Sequence, residues 1–287
     1  MNSSPKPVAN DLLLEELTEE TGSAQEARWI LEAVAARVTH DQEVAAMARG
    51  LAARRAAGEP LQYVLGSWQF RDLELLVDER ALIPRPETEQ IVEAVLQRWR
   101  ASSATRSALT IVDLGTGTGA IGLSLASALQ ENTVLERVIL SDLSRDALEL
   151  ALENTMKLGI ERVEFRLGSW FDALEPALKG KIDLLVSNPP YVAVSERPGL
   201  ATELFYEPDE ALFSLDAKDG TPGFRDVATI LSEVGPWLSP GGVVGIEMGE
   251  GQVEPAVALA SAVGLEDVEV IYDLAEKPRG LSAVKNS

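Results

Sequence analysis

Leu109-Thr-Ile-Val-Asp113-Leu-Gly115-Thr-Gly117-Thr-Gly119-Ala-Ile-Gly122 is the stretch that decides how the rest of the chain is read. Leu109 to Leu114 is an apolar run of strand length that passes directly into a glycine loop, and Ala120 to Leu129 continues as an apolar helix. Glycines in such a loop allow positive φ and bring the backbone close to a ligand, while the helix start supplies unpaired N–H groups. The loop alone leaves two cofactor classes open. Gly117-Thr-Gly119-Ala-Ile-Gly122 also satisfies the G-x-G-x-x-G dinucleotide fingerprint, so a nicotinamide or flavin dehydrogenase has to be weighed.

The same alternation continues outward. Pro86 to Trp99 reads as a capped helix, and strands come after the glycine loop over Arg137 to Leu140, Val163 to Leu167, Ile182 to Val186, Val243 to Glu247 and Val268 to Tyr272. Helices over Ser144 to Leu158, Phe224 to Trp237 and Gln252 to Val263 are interleaved with them. Crossovers of this length predict a mostly parallel sheet covered on both faces, with ligands at the carboxyl ends of its strands. Residues 10 to 58 differ. Apolar residues at helical spacing, with Ser23/Glu26 and Thr39/Gln42 as capping-box pairs, predict a small bundle. Gly58-Glu-Pro60 ends it, and Trp68 to Val77 reads as a hairpin turning at Arg71-Asp72. The expected organisation is a helical substrate-recognition domain over 1–66, a connecting β-hairpin over 67–78 and an α/β domain over 79–287. The bundle carries no catalytic signature.

The chain has 287 residues, 46% hydrophobic and 25% charged, the balance of a globular protein rather than a disordered one. It contains no cysteine and a single histidine, His40, which excludes disulfides, thiolate nucleophiles and Cys/His zinc sites. His40 lies at a helix junction and reads as a capping or solvent-facing group. Twenty-five basic against 46 acidic residues give a net charge of −21, a field that repels phosphate backbones. No direct nucleic-acid partner is expected. The acidic cluster Glu15, Glu16, Glu19 and Glu20 reads as a solvated helix face. Met1 to Asp11 has no apolar core of a signal peptide, and the uncharged stretch Leu114 to Gln130 is too short and polar to span a bilayer, so no membrane partner and a cytoplasmic location are expected.

Three groups of residues carry chemistry. Asp113 sets a carboxylate beside the loop, which would repel a pyrophosphate and suits a cationic ligand bearing an amino group; this favours S-adenosylmethionine. Asp142 closes the next strand, where a carboxylate can accept hydrogen bonds from both ribose hydroxyls of an adenosine. A helix cap before Ser144 is its alternative reading. The strand Ile182 to Ser187 then ends in Asn188-Pro189-Pro190-Tyr191. The prolines stiffen the turn and donate no N–H, leaving the Asn188 side chain and the Pro189 carbonyl as fixed acceptors for the two N–H bonds of a planar NH₂ group, with the Tyr191 ring against its plane.

With these motifs in this order the chain resembles the class I methyltransferases, and specifically the release factor glutamine methyltransferase family. The resemblance rests on Arg55-Ala-Ala-Gly-Glu-Pro-Leu-Gln-Tyr63-Val-Leu-Gly66, Leu82-Ile-Pro-Arg-Pro-Glu-Thr-Glu89, the Asp113 to Gly119 loop, Ser141-Asp-Leu-Ser144, Asn188 to Tyr191 and Ser239-Pro-Gly-Gly242. It implies an α/β fold: a Rossmann-like doubly wound sheet preceded by a small helical bundle and a connecting β-hairpin. It also implies S-adenosylmethionine-dependent methylation of the side-chain amide nitrogen, N5, of the glutamine in the Gly-Gly-Gln motif of peptide chain release factors. By the same resemblance Gly115, Thr116, Gly117, Thr118, Gly119, Asp142 and Trp170 belong to the cofactor site, and Asn188, Pro189, Pro190 and Tyr191 to the glutamine site. Arg85, Pro86, Glu87 and Thr88 match a segment lining the same cavity. Ser214 to Lys218 reads as an insertion, and Pro278 falls in a loop usually richer in charges. Competing readings are a methyltransferase acting on exocyclic amines of nucleic acid, a ribosomal-protein glutamine methyltransferase, a silent adenosine-binding module and a dehydrogenase.

Overall fold

The computed structural model describes residues 7–102, 108–130 and 135–286, the side chains from residue 11 onward. The chain divides into two compact units, Met1–Trp68 with Ala201–Tyr206, and Gln69–Leu200 with Glu207–Ser287.

The first unit is built of α1 (Pro7–Thr21), α2 (Ala24–Ala35), α3 (Asp41–Ala56) and α4 (Leu61–Leu65). Leu13, Leu17, Ile30, Val34, Leu51 and Val64 form its core. The Ser23 side chain accepts from Glu26 N at 3.3 Å and caps α2. The second expected cap is not formed. α3 begins one residue later than the Thr39 pattern requires, with His40 at the cap position and no side-chain cap bond, so Gln42 falls at the wrong offset. Ala201–Tyr206 joins this unit although it lies far along the chain. Arg55 pairs with Glu26 at 2.7 Å and with Glu203 at 2.6 Å, and the Tyr206 hydroxyl donates to the Ala57 carbonyl at 3.1 Å.

β1 (Ser67–Phe70), whose first two residues are counted with the first unit, and β2 (Leu73–Leu76) form the hairpin, with Arg71 at φ 52° in its turn. Next along the chain come α5 (Thr88–Ala101), β3 (Leu109–Leu114), α6 (Ala120–Leu129), β4 (Leu135–Asp142), α7 (Arg145–Leu158), β5 (Val163–Leu167), β6 (Ile182–Ser187), β7 (Val192–Ala193), α8 (Asp209–Leu212), β8 (Phe213–Ser214), α9 (Arg225–Val234), β9 (Leu238–Glu247), α10 (Val253–Ala262), β10 (Leu265–Tyr272) and β11 (Pro278–Lys285). The main sheet has the order β10-β11-β9-β6-β3-β4-β5. Pairings from β9 through β5 are parallel, and β11 is antiparallel to both its neighbours.

β3 and β6 are buried along their whole length, as expected of parallel strands covered on both faces. Ile111, Val138 and Leu184 meet α5, α6 and the hairpin; Val112, Ile139 and Leu185 meet α9 and α10. The fold is therefore the expected class I methyltransferase architecture, α/β and doubly wound. One strand of the main sheet is additional to the sequence reading. The segment read as a loop around Pro278 begins β11, which inserts between β9 and β10. Asp273 makes the turn possible by accepting from Ala275 N and Lys277 N at 2.8 and 2.9 Å, and Pro278 sits at the first strand position, where a missing N–H is tolerated.

A buried asparagine fastens the hairpin and the glycine loop to α7. Asn154 is fully buried; its Oδ1 accepts from Leu76 N at 2.6 Å and its Nδ2 donates to the carbonyls of Leu76 and Thr118 at 3.0 and 2.9 Å. Asn154→Ala leaves those backbone groups unpaired, and the expected loss of stability is about 3 kcal/mol. Urea titration reads it as a lower midpoint at unchanged slope; an unmoved midpoint contradicts the role.

Candidate active site

β3 pairs in parallel with both β4 and β6, so that Leu114 lies opposite Ser141 on one side and Ser187 on the other. The three segments that leave these strand ends, Gly115 to Gly119, Asp142 to Ser144 and Asn188 to Tyr191, emerge together at one sheet edge. Thr116 N donates to the Ser141 carbonyl at 2.9 Å and Ser187 Oγ to the Leu114 carbonyl at 2.7 Å, which fixes the three exits to one another. They open onto a cavity of about 690 Å³. Gly115, Thr116, Gly117, Thr118, Asp142, Trp170, Asn188 and Pro190 line it, with Glu79 to Leu82, Pro84, Thr88, Leu143 and Phe213 among the remaining walls. Asp113, Gly119, Pro189 and Tyr191 are not among the residues lining it; Gly119 is the residue from which α6 starts.

Asp113 does not meet a ligand as its position in the sequence suggested. Strand alternation turns it toward α6, where it is fully buried. Its Oδ2 accepts from Thr116 Oγ1 at 2.7 Å and Gly122 N at 2.9 Å, and Oδ1 has no hydrogen-bond partner among the described residues. Gly122 permits this approach, since a Cβ there would stand 2.4 Å from Leu140 Cδ2 and 3.0 Å from the Asp113 Cβ. Asp113 thus shapes the loop from behind. Burial pushes its carboxyl up to about 6, with the Asp142 charge adding to the rise and the bonds from Thr116 and Gly122 opposing it.

Asp142 stays on the cavity wall. Its Oδ2 accepts from Gly117 N and its Oδ1 from Ser144 N, both at 2.9 Å, and burial raises its pKa against these bonds. The helix cap is Ser144, whose side chain accepts from Ala147 N at 3.2 Å. These bonds also bear on the dinucleotide alternative. The N–H groups of Thr116, Gly117, Gly119 and Gly122 are all engaged by the protein, and two of them by carboxylates, which leaves a poor cradle for a pyrophosphate.

Trp170 adopts φ 42° and its indole N–H donates to Asp226 Oδ1 at 3.2 Å. The ring passes so close to the loop that a Cβ on Gly115 would meet it at 3.2 Å. Asp226 is in turn held by Ser214 Oγ at 2.6 Å, and Ser214 pairs with Ala193 in the short β7–β8 ladder. The segment read as an insertion therefore begins with a residue that braces Trp170.

Asn188 Nδ2 donates to Thr88 Oγ1 at 3.4 Å, and its Oδ1 receives no hydrogen bond among the described residues. Gln252 Nε2 holds the Tyr191 carbonyl at 2.9 Å and the Pro222 carbonyl at 2.8 Å. The Tyr191 hydroxyl donates to Oε1 of the buried Glu247 at 3.2 Å. Of the segment Arg85 to Thr88, only Thr88 reaches the cavity. Arg85 turns to the buried Glu207, whose other oxygen accepts from Ile83 N at 2.9 Å, and Pro86 is exposed. Thr88, Glu207, Asp226 and Glu247 were given no individual role by sequence reasoning. Glu247 had a usable signal, an acidic residue at the carboxyl end of an apolar strand.

A family profile described as a methyltransferase domain matches residues 105–219. The release factor glutamine methyltransferase of Bordetella pertussis is 37% identical over 274 residues, 92% of this chain and 96% of its own length. That of Moorella thermoacetica is 41% identical over 229 residues, 79% of this chain and 75% of its own. The chain belongs to the release factor glutamine methyltransferase family. A crystal structure of a methyltransferase from Pyrococcus furiosus shares the fold, with a TM-score of 0.51 at 17% identity over 76% of this chain and 91% of that one. The motifs of the sequence imply S-adenosylmethionine as the methyl donor. The cavity fits it: its volume is in the range for such ligands, a carboxylate stands on one wall, and Gly115 beside the Trp170 ring has no room for a side chain.

Because its folded pKa lies above the ordinary 3.8, Asp113 favours folding most in its protonated form; that contribution is complete in acid and is lost as pH rises through about 6. The span corresponds to roughly 3 kcal/mol. Asp113→Asn keeps an oxygen for Thr116 and Gly122 without the charge, so its stability should fall less than the wild type's between about pH 4 and about pH 7. Thermal unfolding across that range checks this. Parallel profiles for the two proteins contradict it.

Proposed function

We propose that this chain transfers a methyl group from S-adenosylmethionine to the side-chain amide nitrogen of the glutamine in the Gly-Gly-Gln segment of peptide chain release factors. The observation that carries the reading is the orientation of Asn188: its NH₂ group is engaged by Thr88, so its Oδ1 is the atom left to accept from a substrate N–H at the cavity. The names of the relatives supply the protein substrate.

Asp142 would hold the ribose hydroxyls through the free lone pairs of its two oxygens, and Gly115 to Gly119 with Trp170 would enclose the adenosine. When bound, S-adenosylmethionine supplies an electrophilic methyl group on a sulfonium sulfur. An amide nitrogen is a weak nucleophile because its lone pair is delocalised. Asn188 Oδ1 and the Pro189 carbonyl would take its two N–H bonds, orient the lone pair and favour the positive charge that grows on nitrogen. The Tyr191 ring, held through its carbonyl by Gln252, would limit rotation of the amide plane. Positioning and fixed dipoles then account for most of the acceleration, and no base has to act before transfer, since the nitrogen becomes acidic only as the new bond forms. The first unit would select the release factor and take no part in the chemistry. A nucleic-acid substrate fits poorly with a net charge of −21.

Incubation of a release factor with labelled S-adenosylmethionine, followed by tandem mass spectrometry, should place the label on the side-chain nitrogen of that glutamine. Label on nucleic acid alone, or on another side chain, overturns the reading. Asn188→Ala should lower kcat by about 10²-fold or more with cofactor affinity little changed. Asp142→Ala should weaken S-adenosylmethionine binding by about 1.5–3 kcal/mol in calorimetry, and an unchanged Kd returns Asp142 to a purely structural part.

A further inference from the structure

We infer that Asp226 is a positioning residue for the cofactor: by holding the indole N–H of Trp170 it fixes that ring against the glycine loop, and so orders the cavity wall before S-adenosylmethionine arrives. The inference rests on the reading of this cavity as the S-adenosylmethionine site and adds to it the side chain that shapes the wall.

Trp170 is kept in a conformation that a bulky residue does not adopt unaided. Of the five non-glycine residues with positive φ among the described residues, it is the one on the cavity wall, at φ 42°. Its ring lies so close to the loop that a Cβ on Gly115 would stand 3.2 Å from Cζ3. Packing alone leaves an indole two broad orientations about its outer torsion, related by turning the ring over. The N–H group decides between them, because it only donates and needs an acceptor in one direction. That acceptor is Asp226 Oδ1, 3.2 Å away in the first turn of α9.

The acceptor is itself fixed. Asp226 Oδ2 accepts from Ser214 Oγ at 2.6 Å, and Ser214 Oγ accepts in return from Asp226 N at 3.3 Å, so the carboxylate leaves the indole only by breaking a reciprocal pair. Ser214 is buried in β8, opposite Ala193 of β7, and Phe213 before it lines the cavity. A single carboxylate thus joins α9, the β7–β8 ladder and the ring on the loop. With the ring already ordered, binding does not have to supply the entropy of ordering it. The helix dipole also favours an acid in the first turn of α9. That role needs neither the indole nor Ser214, which separates the two.

The test is a double-mutant cycle in the full chain, with the Kd of S-adenosylhomocysteine read by calorimetry for wild type, Asp226→Ala, Trp170→Phe and the double variant. Asp226→Ala should weaken binding by about tenfold, and the double variant should match Trp170→Phe to within about twofold, because without the indole N–H Asp226 has no ring to hold. Asp226→Asn, which keeps an oxygen for the indole and gains a donor for Ser214, should recover most of the affinity. Ser214→Ala leaves the acid on α9 but frees it; it should weaken binding in the same direction, add nothing to Trp170→Phe, and carry the cycle alone if Asp226→Ala does not fold. The second readout is the indole ¹⁵N–H resonance of Trp170 without cofactor, assigned by its absence in Trp170→Phe. It should move in Asp226→Ala and stay in place in Asp226→Asn. Unchanged affinity in both Asp226→Ala and Ser214→Ala, or effects that add to that of Trp170→Phe, overturn the inference. An indole resonance that moves as expected in a wild-type background that binds no S-adenosylhomocysteine supports the hold of Asp226 on the ring and fails the cofactor reading instead.

Discussion

The parallel pairing of β3 with β4 on one side and β6 on the other is the constraint that creates the site. Strands that run in the same direction in matched register end at the same edge, so the chain returns there three times with different side chains. The register that puts Leu114 beside both Ser141 and Ser187 also puts the glycine loop beside Asp142 and Asn188. A slip of one residue in either pairing would turn Asp113 toward the wrong face and separate these segments. Bonds between the exits, from Thr116 to the Ser141 carbonyl and from Ser187 to the Leu114 carbonyl, hold them once the strands have met.

Three acidic side chains then divide the work of the site by depth. Asp113, fully buried, ties the loop to α6; Asp142, on the wall, ties the loop to the start of α7; Glu247, behind the Asn188 turn, accepts from the Tyr191 hydroxyl. Burial raises the pKa of all three, because removing a carboxylate from water disfavours its charge more than these hydrogen bonds restore it. Buried charge is accepted here in return for fixed orientation. The cost is consistent with a reaction whose acceleration comes from where acceptors stand, with no histidine or thiolate to assist.

Much of this was legible along the chain, and the exceptions have physical causes. β3, α6 and β5 arise from local apolar pattern, and Asp113, Asp142 and Asn188 to Tyr191 stand in the sequence at strand ends that the structure brings to one edge. β11 was missed because Pro278 punctuates the sequence, and only the Asp273 turn and the gap between β9 and β10 make a strand of residues 278–285. Thr39 failed as a cap because one residue of offset decides which side chain reaches the helix N–H groups. Asp113 is a subtler case: its proximity to the loop was correct, but which face it points to depends on α6 covering that side of β3. Asn154, Glu207 and Glu247 act across 78, 124 and 56 positions of sequence, and no local pattern encodes such partners.

Whether one cavity brings an amide acceptor and a nucleoside site together at the ends of β3, β4 and β6 is measured most directly by a crystal structure with S-adenosylhomocysteine and a glutamine-containing peptide from a release factor. The ribose hydroxyls are expected on Asp142 and the glutamine side-chain nitrogen within about 3 Å of Asn188 Oδ1, with Asn188 Nδ2 still on Thr88. A glutamine nitrogen bound away from Asn188, or an asparagine turned with Nδ2 toward the substrate, would contradict the assignment.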